Sequence, residues 1–186
     1  MDEGLVLRAQ DGDPDAFRAL AIAQHPRLFA AAYGILRDGD LAQDATQRAL
    51  VNVWRHLRSL RHPDRFEGWS YRILVNACYA EARGVPSPLV DDEVAARKPA
   101  ASDEYQRIDD RDQLERAFRR LSLEHRAVVV LHHLADMPLE AVAEALGLKV
   151  GTVKSRLHRA MGELRAAIEA DARPTPALPL GREVTR

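Results

Sequence analysis

The stretch from Leu139 to Arg165 constrains the fold of this chain more than any other part of it. Its first half has apolar residues at helical spacing and ends at Gly147, a residue whose permissive backbone suits the end of a helix. Its second half also places apolar residues on one helical face: Val153, Leu157, Ala160, Met161, Leu164 and Ile168. Two helices joined by such a tight turn predict a helix-turn-helix.

The other face of the second helix is basic. Between Lys149 and Arg165 there are five basic residues and one acidic residue, Glu163. Cations on a recognition helix suit the phosphates that flank the major groove, and short polar residues at its start suit the base edges. The residues predicted to bind DNA are Thr152, Lys154, Ser155, Arg156 and Arg159. A solvated helix face that binds nothing is the alternative interpretation.

The first 84 residues also predict helices. Aromatic residues make up only 5% of the chain, which disfavours a β-sandwich. Asp13 and Pro14 mark the start of a second helix, and Pro26 is expected to break or kink it. Further helices are expected from about Leu41 to Leu60 and from about Glu67 onward. The spacing in the third helix predicts an apolar face made of Ala45, Ala49, Val53, Trp54 and Leu57.

Residues 85–111 differ from both flanks. They contain three prolines, seven acidic and four basic residues, and little periodicity, which predicts an acidic flexible linker. Residues 112–172 return to helical spacing, and Ser122 is expected to cap a helix buried through Val128, Val129, Leu131 and Leu134. Residues 173–186 predict a disordered tail. The expected fold is therefore all-α, with two small helical domains at residues 1–84 and 112–172, the second being a helix-turn-helix domain.

Several function classes are disfavoured by what the chain lacks. No stretch reaches the roughly 18 apolar residues that span a bilayer, and the N-terminus does not resemble a secretory signal, so a cytoplasmic location is expected. Cys78 is the single cysteine, and inert packing is its expected role. No metal site is expected, because His125, His132 and His133 have no converging cysteine or carboxylate. No cofactor is expected. Because no nucleophile–base pair, phosphate loop or paired catalytic carboxylates occur, an enzyme is not expected either.

Four stretches of the chain resemble bacterial RNA polymerase sigma factors of the extracytoplasmic-function (ECF) group. The promoter-reading helix of that family is similar to GTVKSRLHRAMGELR at residues 151–165. The start of the family domain that holds core polymerase is similar to GDPDAF at 12–17 followed by PRLFAAAYGIL at 26–36. The family helix that docks on the polymerase clamp is similar to DLAQDATQRALVNVWRHL at 40–57. The family element that melts and reads the −10 box is similar to FEGWSYRILVNACYAEAR at 66–83.

The resemblance covers roughly residues 3–84 and 112–170, and it implies a factor that directs core enzyme to specific promoters and helps to open them. It assigns reading of the −35 box to the helix-turn-helix and core docking to Asp44, Gln47 and Arg48. The family pattern has an acid where this chain has Arg48. Either docking depends on Asp44 and Gln47 alone, or this chain binds core less tightly.

Opening a duplex requires the capture of an unstacked base, which needs cations along the backbone and a pocket with planar or amide groups. Six arginines lie within residues 48–72. Together with the resemblance they give the predicted −10 site. Arg61 and Arg65, with Arg58 beside them, are expected to follow phosphates, and Phe66 and Trp69 are expected to frame a flipped base. Asn76 is expected to bond to a base edge from the inner face of its helix, and Tyr79 and Arg83 are expected to reach the backbone.

Alternatives remain for two of these residues. Core packing is the alternative role for Trp69, and a satisfied amide inside a helix is the alternative for Asn76. The family aspartate that follows this asparagine by four residues is Ala80 here, and the family's arginine run after Arg83 is missing. Each lost phosphate contact removes a counterion-release contribution, so weaker non-specific affinity for the displaced strand is expected.

The resemblance also implies partners: core RNA polymerase, promoter DNA and an anti-sigma factor that covers the polymerase-binding surfaces. Two other classes stay open at this point. One is a stand-alone transcriptional regulator with a sensing or dimerising N-terminal domain, and the other is an enzyme fused to a DNA-reading module. The helix that contains Asp44 and the loop after it argue against the first, because a simple regulator has no use for them. The lack of a catalytic constellation argues against the second.

Overall fold

The computed structural model describes residues 3–84 and 105–171, with side chains described for 3–84 and 112–171. Helices make up nearly all of these two segments and no strand occurs within them, which confirms the all-α expectation. Most of the predicted linker, and all of the predicted tail, lie outside the described residues. The helices are α1 (Glu3–Gln10), α2 (Pro14–Leu36), α3 (Gly39–His56), α4 (Phe66–Ala82), α5 (Tyr105–Arg120), α6 (Leu123–Val129), α7 (Leu139–Leu146) and α8 (Val150–Asp171).

The second helix begins as predicted but is not interrupted. The carboxylate of Asp13 accepts hydrogen bonds from two backbone N–H groups of the first turn, and Pro14 occupies that turn. The helix then continues through Pro26, so the expected break is wrong. Pro26 is exposed, and the carbonyl that it leaves without a helical partner belongs to Ile22, which is also exposed. Water can therefore replace the missing hydrogen bond.

Alanine allows the first four helices to pack closely. Ala42, Ala45 and Ala49 of α3 are fully buried, and α3 packs against both α2 and α4. Val53 and Leu57 complete this buried face, as predicted, but Trp54 is 45% exposed and rests against Phe17 with ring centroids 4.6 Å apart. The reason is the helical period: a residue directly after the buried Val53 is turned by about 100° from it.

The second segment begins with a helix that was expected around Leu114 to Leu121 but starts earlier than the sequence composition indicated. α5 starts at Tyr105, inside the stretch predicted as linker. Its first turns are so rich in charged residues that they share the composition of a linker. Ser122 caps α6 as predicted, because its hydroxyl accepts a hydrogen bond from the backbone N–H of His125.

A π-helical turn at Val130–Leu134 extends α6. The backbone N–H of Ala135 donates to the carbonyl of Val130 at 3.0 Å, five residues back, so this turn is wider than an α-turn. The extra residue shifts the helical phase. Val128, Val129 and Leu131 are buried as predicted, whereas Leu134 is 58% exposed, and its predicted burial is wrong.

The helix-turn-helix forms as the sequence predicts. Gly147 ends α7 in the left-handed conformation, with φ 65° and ψ 33°, and α8 begins three residues later. On α8, Val153, Ala160 and Leu164 are buried and pack toward α5, α6 and α7. Met161 is 39% exposed, so its predicted place on the buried face is wrong. Ala167 is buried on that face instead.

The two described segments pack against each other. Helix α2 contacts α6 and the π turn, and α4 contacts α7. One cluster of buried apolar side chains crosses this junction, with Ala32, Ile35 and Val75 on one side and Val128, Val130 and Val142 on the other. This junction decides which faces of the helices predicted to read DNA are open to solvent.

Candidate nucleic-acid and polymerase interfaces

The outer face of α8 carries the residues predicted to bind DNA. Lys154, Ser155 and Arg159 are exposed, while Thr152 and Arg156 are half-buried. The hydroxyl of Ser155 donates to the carbonyl of Thr152 at 3.0 Å, so its oxygen remains free to accept from a ligand. All five residues lie in the first three turns of the helix, which is the part of a recognition helix that enters the major groove.

One further residue of this face was not predicted from the sequence. His158 is exposed next to Arg159 on the outer side of α8. The signal was available, because position 158 follows Lys154 by four residues and Ser155 by three. An imidazole can donate to or accept from a base edge or a phosphate.

Arg156 lies close to a residue from the other predicted DNA site. The phenol of Tyr79 on α4 is more than half buried, and this burial raises the pKa of Tyr79 above its ordinary value. The nearby guanidinium of Arg156 on α8 opposes that rise, whereas Glu124 on α6 adds to it. The structure thus brings together two residues that sequence analysis assigned to different promoter elements.

The loop and the start of α4 present arginines around one indole ring. Arg58, Arg61 and Arg65 are exposed, and Trp69 is half-buried. Arg61, Arg65 and Trp69 line a cleft of about 510 Å³, and Arg58 is not part of its lining. The far wall of this cleft comes from α7, and the guanidinium of Arg65 lies 3.8 Å from the carboxylate of Glu144 on that helix.

Phe66 does not have the predicted position at this surface. It is only 1% exposed and packs with Val6, Leu20 and Leu57 in the core beneath α1. Its ring centroid lies 6.2 Å from that of Trp69 in a tilted arrangement. The prediction that Phe66 frames a flipped base is therefore wrong for this conformation, and its role here is to support Trp69 from below.

Asn76 also differs from its predicted orientation. It lies on the exposed side of α4 and not on an inner face. Arg72 precedes it by one turn and Arg83 follows it by two turns, and both are exposed. The helical period places Trp69, Arg72, Asn76 and Arg83 along one side of α4. Arg72 was not predicted as part of this site, although it precedes Asn76 by four residues, which is one helical turn.

The predicted docking residues on α3 separate into two groups. Asp44 and Gln47 are exposed, and they continue into a stripe with Val51 and Trp54, which are 42% and 45% exposed. These four residues, at spacings of three, four and three, form what we call the α3 stripe. Large apolar side chains next to a carboxylate and an amide are typical of a protein-binding surface.

Arg48 is not part of the α3 stripe. It reaches α4, where its guanidinium lies 2.8 Å from the carboxylate of Glu81, and the two side chains are only 16% and 11% exposed. Burial raises the pKa of Glu81 above its ordinary value, Arg48 opposes this rise, and Asp44 adds to it. The prediction that Arg48 belongs to the docking surface therefore needs correction, because this cation joins α3 to α4.

Metal-ligating side chains, the single cysteine and the length of the apolar helices were also compared with the structure. Within residues 3–84 and 112–171, no three His, Cys, Asp or Glu side chains come together in a way that could hold a metal ion. Cys78 is fully buried, and burial raises the pKa of its thiol to about 12. No described helix is both long enough and apolar enough to cross a membrane.

Comparison with known proteins explains this set of surfaces. The family model for sigma-70 region 2 matches residues 20–84, and the model for sigma-70 region 4 matches residues 111–164. The ECF RNA polymerase sigma-E factor of Escherichia coli K12 is 30% identical over 186 residues, covering 93% of this chain and 95% of that protein. This chain belongs to the ECF sigma factors. As a sigma factor, it directs RNA polymerase to promoters, which decides against a stand-alone regulator.

Solved structures agree with this sigma-factor assignment. The structure of CnrH in complex with the cytosolic domain of CnrY matches 92% of this chain and 99% of that one, with 26% identity and a TM-score of 0.68. The sigma factor RpoE of Bartonella quintana, in complex with the anti-sigma factor NepR, matches 83% of this chain and 98% of that one, with 26% identity and a TM-score of 0.64.

Proposed function

We propose that this sigma factor docks on core polymerase through the α3 stripe, reads the −35 box with α8, and captures the −10 box with α4 and the loop before it. The observation that carries this proposal is the arrangement of α3 and α4. The two helices pack directly on each other, yet the α3 stripe and the side of α4 with Arg72 and Asn76 are both exposed. Docking of one helix would therefore fix the position of the other.

Reading of the −35 box is proposed for Thr152, Lys154, Ser155, Arg156 and Arg159, with His158 added. Arg156 and Arg159 are the strongest candidates, one for a base edge and one for phosphate. A bidentate arginine–guanine pair discriminates by about 1–3 kcal/mol against another base.

Capture of the −10 box is proposed for a surface that joins the loop to α4. Arg61, Arg65 and Arg72 would follow the backbone, Trp69 would stack on an unpaired base, and Asn76 would bond to a base edge, with Tyr79 and Arg83 further along the strand. Stacking on an aromatic ring contributes about 1–3 kcal/mol per base. This is comparable with the few kcal/mol that unstacking costs.

We further propose that the chain has no catalytic activity of its own and acts in the cytoplasm, where polymerase and chromosome are found. An anti-sigma factor is the proposed regulator, and the complexes of CnrH and of RpoE support this by similarity. The exposed Val51 and Trp54 offer such a partner an apolar contact on the surface that polymerase would use.

The proposal is tested by reconstitution with core RNA polymerase. Holoenzyme is used to select promoters from a random duplex library, and the selected promoter then serves for run-off transcription and permanganate footprinting. Asn76→Ala should leave closed-complex binding nearly unchanged and reduce open-complex formation, because the amide acts only on the unpaired strand. Glu169→Ala, at an exposed position near the end of α8, is the control. Wild-type opening by Asn76→Ala on an unmelted promoter would contradict the −10 assignment, and failure to co-purify with core would contradict the docking proposal.

A further inference from the structure

We infer that Gln10 is a positioning residue for the −10 site, because its amide holds the loop before α4 in the shape that presents Arg61 and Arg65 to the unpaired strand. We call this loop, residues 57–65, the capture loop. The inference rests on the proposed capture of the −10 box by this loop and α4. Gln10 is the last residue of α1 and does not line the cleft beside Trp69. It would therefore act on the loop without touching DNA.

The amide of Gln10 donates two hydrogen bonds to the backbone of the capture loop. Its Nε2 atom lies 3.0 Å from the carbonyl oxygen of Leu57 and 2.7 Å from that of Leu60, and both contacts are partly buried. Leu57 begins a single 3₁₀ turn, and Leu60 ends it with extended backbone at φ −72° and ψ 109°. Carbonyls at the end of a helical turn need partners from outside the turn. One side-chain amide thus joins the two ends of this turn.

Packing and a sharp bend fix the end of α1 next to the capture loop. Val6 of α1 is fully buried in a cluster with Leu57 and Phe66. Shortly after α1 the chain bends at Gly12, whose φ of 97° is one that L side chains rarely adopt. Gln10 lies between the buried cluster and the bend, so its backbone is held on both sides. Its amide therefore acts on the loop from a fixed position.

The bend after α1 makes a second contact with the capture loop. A Cβ atom at Gly12 would lie 2.9 Å from an Nη atom of Arg58, so this guanidinium lies directly against the glycine. Arg58 is thus directed toward α1, whereas Arg61 and Arg65 line the cleft. The three arginines that the sequence places together along phosphates therefore have two different surroundings, and only the second pair faces the cleft.

The capture loop needs such support because few of its side chains are buried. Leu57 is buried, but Arg61 and Arg65 are exposed, as are most other residues of the loop. Fixing an exposed backbone at the moment of binding costs conformational entropy, which weakens affinity. A loop that is already held in place by Gln10 avoids this cost. The amide of Gln10 should therefore strengthen the capture of single-stranded DNA.

The experiment replaces Gln10 by methionine, which has a similar length but no hydrogen-bond donor. Holoenzyme is titrated with a single-stranded oligonucleotide that carries the displaced −10 strand of the selected promoter, at several salt concentrations. Gln10→Met should bind this strand about tenfold more weakly, as expected for the loss of two hydrogen bonds. Its salt slope should fall by about one counterion, because the arginines no longer meet the phosphates together. Assembly with core should not change, since the α3 stripe is intact.

The salt slope distinguishes positioning from a merely structural role. If Gln10 only stabilised the fold, Gln10→Met would lower the folded fraction and the apparent affinity, but the folded molecules would keep the parent's salt slope. An unchanged slope in Gln10→Met therefore overturns the inference. Gln113→Met is the matched control, because the amide of this other half-buried glutamine donates to the carbonyl of Ile168 at 2.8 Å. It should leave both the affinity and the slope unchanged.

A second variant covers the possibility that Gln10→Met fails to fold. Gln10→Asn keeps the amide on a side chain that is one methylene shorter, so it cannot reach both carbonyl oxygens. Circular dichroism should show the parent's helical signal for this variant. The salt slope should still fall relative to the parent, and an unchanged slope in folded Gln10→Asn also overturns the inference.

The double variant Arg61→Ala/Arg65→Ala separates this inference from the proposed function. If Gln10 acts through these two arginines, then adding Gln10→Met to the double variant should lower single-strand affinity by less than about twofold, because the effects are not additive. A further loss of about tenfold would show that Gln10 acts elsewhere, which overturns the inference alone. If Arg61→Ala/Arg65→Ala binds the single strand as the parent does, the proposed role of the capture loop fails, and the inference fails with it.

Discussion

The recognition helix α8 and the helix pair α3–α4 differ in how directly their functional faces follow from the sequence. On α8, one side packs on three helices and the other is open to solvent, so the helical period alone separates the core from the proposed DNA-binding face. On α3 and α4, other helices cover more than one side. On these two helices, the burial of a particular residue depends on which neighbouring helix covers it. The periodicity within one helix does not reveal that neighbour.

The largest expected effect comes from replacing Phe66 of α4, a residue whose burial depends on a neighbouring helix and not on the helical period. Because it is fully buried beneath α1, Phe66→Ala should lower the free energy of unfolding by about 3–5 kcal/mol. Trp69→Ala, three residues later and only half-buried, should cost much less stability but should impair promoter opening. Urea unfolding followed by circular dichroism measures the first effect, and permanganate footprinting measures the second. Similar loss of stability in both variants would mean that Trp69 belongs to the core, the alternative that its sequence position left open.

The next largest effect concerns the α3 stripe. Asp44→Arg should reduce assembly with core polymerase by about a hundredfold or more, since it replaces a carboxylate by a cation in a contact that docking would desolvate. The fold should stay intact, because Asp44 is exposed. Asp11→Arg, which makes the same charge change in the exposed turn between α1 and α2, should assemble normally. A pull-down in which Asp44→Arg retains full binding would remove the α3 stripe from the docking surface.

These particular residues show what sequence analysis can and cannot supply. The helix-turn-helix, the caps at Asp13 and Ser122 and the helical class were predictable, because each depends on a few neighbouring residues. The burial of Phe66 and the inward turn of Arg48 were not, because they depend on α1 and on Glu81, which lie far away in the sequence. Leu134 was misassigned because a single π turn shifts the phase of a helix, and no local signal marked it.

A smaller effect is expected on α8, where the sequence was most informative. Arg156→Ala and Arg159→Ala should each cost about 1–3 kcal/mol in promoter affinity if they contact a base, with relaxed preference at one −35 position. A phosphate contact should instead weaken binding evenly and lower the salt dependence by about one counterion. Titrations of −35 variants at several salt concentrations distinguish these outcomes. If neither variant changes affinity, specificity or salt slope, then α8 is only a solvated face.

The ion pair between Arg48 and Glu81 gives a further, more modest test of the α3–α4 junction. Arg48→Glu places two carboxylates together in a poorly hydrated position, so we expect a loss of about 1–3 kcal/mol in unfolding free energy. The exchanged variant Arg48→Glu/Glu81→Arg should recover most of it. If Arg48 instead acted on polymerase, the exchange would leave the folded state intact but would not restore the original assembly.

The pH dependence of this junction is the smallest expected effect, and its sign follows from the pKa of Glu81. Burial raises that pKa above the ordinary value of 4.5, while Arg48 holds it down. A carboxyl group whose pKa is raised on folding stabilises the fold fully below its unfolded pKa, and this contribution is lost as the pH rises through the folded pKa. Arg48→Gln removes the opposing charge, so it should raise the pKa of Glu81 further. The variant should then lose about 1 kcal/mol more stability than the parent between about pH 4 and pH 7.

NMR titration of the Glu81 carboxyl carbon measures the pKa directly, and urea unfolding at both pH values measures the linkage. A lower pKa of Glu81 in Arg48→Gln would show that the guanidinium does not act on this carboxylate, and Arg48 would again be available for the polymerase.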